Sequence, residues 1–142
     1  DIGSSNDFLL KLISGSMPAC PKIHMGYVDV RDVAKAHIFS MTEEKTNGER
    51  IIVSENEMFF AEVGKTLNEA GFKKSPTKEM PNFLVKIMSL FVGELKTLLS
   101  ALNRKGDIDK TKAKSFFNWD YISTEQSVTE TARQLQDMGL TK

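Results

Sequence analysis

Apolar and polar positions along the chain alternate between two periods. Residues 6–13, "NDFLLKLI", place Phe8, Leu9, Leu12 and Ile13 at helical spacing behind Asn6, a residue suited to cap a helix. The prolines and glycine of "SGSMPACPK" end that run. In "IHMGYVDV" the residues Ile23, Met25, Tyr27 and Val28 read as a strand ending near Val28. From Val30 the apolar positions Val33, Ala34, Ala36, Ile38 and Met41 recur as on a helix, and "EEKTNGER" then turns the chain around Gly48. Residues 50–54, "RIIVS", are nearly all apolar, the pattern of a parallel strand covered on both faces.

The remainder is helical. Phe59, Phe60, Val63, Leu67 and Ala70 share one face of a helix that stops at Gly71. Residues 82–102 form one apolar-rich helix broken near Gly93, or two in succession. Residues 110–119 predict a short helix ending on Phe116, Phe117 and Trp119. A last helix is capped by Ser123 or Thr124, turns Val128, Ala132, Leu135 and Met138 inward, and ends at Gly139. The expected fold class is therefore α/β: a short parallel strand pair with about five or six helices.

Composition narrows the function classes. The 142 residues carry 19 acidic and 19 basic side chains, so no bulk charge recruits nucleic acid. No apolar run approaches the roughly 18 residues of a membrane span. One cysteine, Cys20, forms no intrachain disulfide and fits a reducing cytoplasm. With two separated histidines, His24 and His37, there is no metal-ligand spacing. No Gly-x-Gly-x-x-Gly or Gly-x-x-x-x-Gly-Lys loop follows a strand, so no cofactor-binding residue is assigned.

Asp29 and Asp32 at the start of "DVRDVAKAH" could suggest acid–base chemistry. Their positions favour a plainer role: Asp29 caps the helix amides of Arg31 or Asp32, and Asp32 lies in the first turn, where the helix dipole favours negative charge. His37 is expected to be a packed, hydrogen-bonded helix residue. Cys20 lies in a proline-bracketed loop that could expose a thiol, but nothing nearby would lower its pKa.

The order of motifs is more specific than any one of them. "G-x-MPACP" at 15–21, "VDVRDVAKAH" at 28–37, "GER" with its apolar run at 48–53, "PTKEMPNFLVKI" at 76–87, Trp119 and "TARQL" at 131–135 together resemble the C-terminal half of extended short-chain dehydrogenases/reductases. The resemblance is strongest to the dihydroflavonol-4-reductase-like group, described as NAD(P)-dependent aldehyde reductases or epimerase/dehydratase proteins. "FFNWDY" departs from that group's Leu-Gly-Trp-x-Pro at Asn118 and Tyr121.

The resemblance implies an N-terminal Rossmann domain, outside these residues, that holds NAD(P) and a catalytic Tyr-x-x-x-Lys pair. Tyr27 is followed four on by Arg31 and Tyr121 by Glu125, so neither matches, and no catalytic residue is assigned. Residues 1–142 are then the C-terminal substrate-binding region, which starts after the catalytic residues and is inactive alone. Ser4, Ser5 and Phe8, with Met25 and Tyr27 on the strand, are implied to bind a small carbonyl substrate. A homodimer through a face left bare by the missing domain is also expected. Two rival readings keep the residues: a sugar-nucleotide epimerase or dehydratase of the same superfamily, or a stand-alone binding module.

Overall fold

The structure, a computed structural model, describes residues 3–91 and 93–141. Asp1 and Ile2 of the opening segment, and Val92 within 82–102, lie outside the described residues. Helix α1 (Ser4–Ser14) leads to strand β1 (His24–Tyr27) and helix α2 (Val30–Thr42). A single 3-10 turn, Glu44–Thr46, precedes strand β2 (Asn56–Phe59) and helix α3 (Phe60–Glu69). Helices α4 (Asn82–Met88), α5 (Gly93–Leu98), α6 (Thr111–Phe116) and α7 (Thr124–Asp137) complete the described elements, with a 3-10 turn at Leu99–Ala101 after α5. The class is α/β, as expected.

Two expectations fail at the sheet. The strand pair is antiparallel rather than parallel, in the register His24 opposite Phe59 and Tyr27 opposite Asn56. The second strand is β2, while the apolar run 50–54 belongs to no sheet among the described residues. A parallel partner requires a neighbouring strand, and the described residues offer none beside 50–54. The less apolar "NEMF" pairs instead, because the Phe60 amide donates to the Ile23 carbonyl (3.0 Å) and draws the start of α3 onto β1.

The main core lies between α1, α3 and α7. Leu9, Leu12 and Ile13 meet Phe60, Val63 and Leu67, with Val128, Ala132 and Leu135 closing the layer and Cys20 and Ile23 beneath. Burial of each large apolar side chain in it is worth about 1.5–3 kcal/mol. Gly64 lets α3 approach the following loop, since a Cβ there would run into the Pro76 carbonyl oxygen. A second, smaller cluster of Ala36, Ala113 and Phe117 is flanked by Phe39, Ile51, Val53, Phe116 and Trp119. Its rings pack edge-on (Phe39 to Phe117, 5.4 Å) and stacked (Phe117 to Trp119, 4.8 Å).

Helix ends follow the chain's chemistry with three departures. Ser123 caps α7 by accepting from the Gln126 amide at 3.2 Å, and Gly139 takes a positive φ of 71° just past its end. Asn6 is not the cap of α1, which starts two residues earlier after Gly3 in a left-handed conformation. Met138 is 68% exposed rather than on the inner face of α7, because the helix ends at Asp137 and the next residue leaves its periodicity. Phe59 belongs to β2, not to the helical face it was expected to share with Phe60.

Candidate functional site

Of the five residues implied to bind substrate, the fold brings two onto one surface. Phe8 packs on the main core with its ring centroid 4.3 Å from that of Phe60, and Tyr27 packs on the same cluster from β1. Ser4 and Ser5 are exposed on the first turn of α1, and Met25 is 48% exposed on β1. Met25 and Tyr27 are two apart on the strand, so they share a face of the two-stranded sheet, opposite Met58 and Asn56.

Tyr27 is the most unusual of the five. Its hydroxyl is fully buried and has no hydrogen-bond partner among the described residues. Burial, reinforced by Cys20 and Glu62 nearby, holds its pKa well above the ordinary phenol value. A neutral, unsatisfied hydroxyl is a donor and acceptor in waiting, at a cost of about 1–3 kcal/mol while it stays unpaired.

The aspartates serve the scaffold. Asp29 Oδ1 accepts from the Arg31 amide at 2.8 Å, and the Arg31 guanidinium grips both oxygens of the same carboxylate at 2.8 and 2.9 Å. Arg31 also donates to Glu130 at 2.7 Å, fastening α2 to α7. These bonds hold the Asp29 carboxyl far below the usual carboxylate range, Arg31 being the leading cause. Asp32 is wholly buried and accepts from the Ile122 amide at 2.8 Å and from Lys35 at 3.2 Å. His37 is exposed rather than packed, with Nδ1 2.8 Å from the Val33 carbonyl. Cys20 is buried, contrary to an exposed loop thiol, and burial pushes its pKa up to about 11.

Neither strand-to-helix junction fits a nucleotide phosphate. The α2 N-terminus already holds the Asp29 carboxylate, and at α3 the Glu62 carboxylate accepts from the Phe59 amide at 2.6 Å. Both helix starts thus carry a negative group where a phosphate would need bare amides. Among the described residues no three His, Cys, Asp or Glu side chains could share a metal ion.

The hollows of the surface lie away from the implied residues. One of about 410 Å³ is lined by Lys114, Phe117, Asn118, Trp119, Asp120 and Tyr121, with Trp119 Nε1 and the Tyr121 hydroxyl buried and unpartnered. Another of about 280 Å³ is bordered by Ile13, Phe72, Lys73, Lys74 and Gln136. The aromatic run "FFNWDY" was the available signal for the first, and sequence reasoning took it only as a family mark.

No profile of a known protein family matches the chain. The NADPH-dependent methylglyoxal reductase of Saccharomyces cerevisiae is 29% identical over 81% of the chain and 30% of its own length. An oxidoreductase of Schizosaccharomyces pombe is 30% identical over 94% of the chain and 35% of its own length. The solved yeast methylglyoxal/isovaleraldehyde reductase Gre2, complexed with NADPH, superposes with a TM-score of 0.66 at 26% identity, covering 94% of this chain and 39% of that one. The chain belongs to the short-chain dehydrogenase/reductase family, among relatives of Gre2. The Candida albicans Gre2–NADPH complex shares the fold, with a TM-score of 0.66 over 94% of this chain and 36% of the other. This member of the family spans about a third of the length of the curated relatives it matches. Among the described residues no helix is long and apolar enough to cross a membrane.

Proposed function

We propose that the chain is the C-terminal, substrate-binding part of a cytoplasmic NAD(P)-dependent reductase that converts an aldehyde or ketone to an alcohol. The observation that carries this reading is the match of 81% of the chain to an NADPH-dependent methylglyoxal reductase. Because the chain spans only about a third of such relatives, and its own helix starts are closed to phosphate, the nucleotide site belongs to the other part of the enzyme. The cofactor supplies hydride there, and this part orients the carbonyl.

In this reading Phe8 and the Met25–Tyr27 face of β1 form an apolar wall for the substrate's carbon skeleton, with Ser4 and Ser5 offering hydroxyls at its rim. The partnerless Tyr27 hydroxyl suits a small oxygenated substrate. Substrate position rather than proton transfer is the task of these residues. The test is an assay of the longer gene product that includes residues 1–142. Consumption of NADPH or NADH with methylglyoxal or isovaleraldehyde is expected, with no turnover by the 142-residue chain alone. A longer product that ignores both aldehydes with either nucleotide would overturn the reading.

A further inference from the structure

Residues 50–54 follow β1 by way of α2, a crossover long enough to return a second strand parallel to the first. Ile51 and Val53 pack into the smaller apolar cluster beside Ala36 and Phe39, while Ile52 points away and is 43% exposed. That alternation is a strand's. Yet among the described residues Arg50, Ile51, Ile52 and Val53 make no backbone hydrogen bond on either side. An apolar extended segment with open amides and carbonyls is the state that edge-strand rules work to avoid. The nearest charged groups, Glu49 and Glu55, flank the run without interrupting it.

We infer that residues 50–54 are an open strand that docks in parallel onto the edge of the β-sheet of the enzyme's nucleotide-binding part, with α2 covering one face of the joined sheet. The inference rests on the functional reading above and names the surface through which the two parts meet. The occupant must present a strand edge, because the unmet groups are backbone groups in register. It must also present an apolar sheet face, because Ile52 stands on the side that α2 does not cover. The matched relatives have about two thirds of their length outside this chain, enough for such a sheet. A second copy of the chain, pairing 50–54 with itself, is the competing occupant.

The test compares hydrogen exchange at the amides of Ile51, Ile52 and Val53 in the 142-residue chain and in the longer gene product. Fast exchange in the chain alone, slowed on the order of a hundred-fold or more in the longer protein, is expected. Ile52→Glu should leave the melting temperature of the short chain unchanged, yet abolish the added protection in the longer one, whereas Ile52→Val keeps it. Equal, fast exchange in both proteins overturns the inference. Protection that rises with the concentration of the short chain also overturns it, in favour of self-pairing. A longer protein that shows the protection but does not oxidise NADPH supports the docking strand and sinks the functional reading alone.

Discussion

The buried carboxylate of Asp32 accepts the backbone amide of Ile122 at 2.8 Å, joining α2 to the entry of α7 across 90 residues of sequence. Asp32→Ala strands that amide without a partner and removes the attachment of Lys35. A loss of about 2–4 kcal/mol is expected in urea unfolding, more than a surface ion pair would cost. Lys35→Ala, which leaves the amide satisfied, should cost less than about 1 kcal/mol.

Asp29 sets an acid limit on stability. Its folded pKa is depressed by Arg31, so its contribution is complete above the unfolded value near 4 and is lost as pH falls below it. Asp29→Asn should therefore be destabilising at neutral pH, by about 1–2 kcal/mol for the weakened cap and ion pair. The gap between variant and wild type should narrow as melting temperature is followed from about pH 6 toward pH 3, where the wild-type carboxylate begins to take up its proton.

Cys20 should be silent toward thiol reagents in the folded chain. Burial closes access and pushes its pKa up to about 11, so thiolate is scarce at neutral pH. A disulfide-exchange dye should label it only at the rate of unfolding, and addition of urea past the midpoint should release the full signal at once.

Two glycines separate backbone collisions from side-chain ones. A Cβ at Gly64 meets the Pro76 carbonyl, which is fixed backbone, whereas at Gly26 it meets the tip of the Ile108 side chain, which can rotate away. Gly64→Ala is expected to destabilise by about 2–3 kcal/mol and Gly26→Ala by about 1 kcal/mol or less, read by thermal unfolding.

The helices were legible in the sequence and the strands were not. For α2, α3 and α7 the apolar period, the Asp29 and Ser123 caps and the glycines after the last turn all agree, so local chemistry settles them. The run 50–54 has the composition of a buried strand, but a strand is completed by a neighbour, and no local pattern supplies one. Asn56–Phe59 mixes polar and apolar residues and was absorbed into the following helix; its pairing is decided by β1, more than 25 residues away in the chain. The implied site shows the same divide. Phe8 and Tyr27 were named from a resemblance, and the main core joins them, while the unpartnered Tyr27 hydroxyl is visible only once its surroundings are folded.

The central claim is that this part of the enzyme holds the carbonyl substrate and leaves the nucleotide to the other part. Met25 tests it most directly, because it is 48% exposed on β1 and its replacement should not disturb the core. In the longer gene product Met25→Ala should raise KM for the aldehyde several-fold, on the order of 1 kcal/mol of lost apolar contact, with Kd for NADPH unchanged. Weakened NADPH binding with an unaltered aldehyde KM would contradict the account.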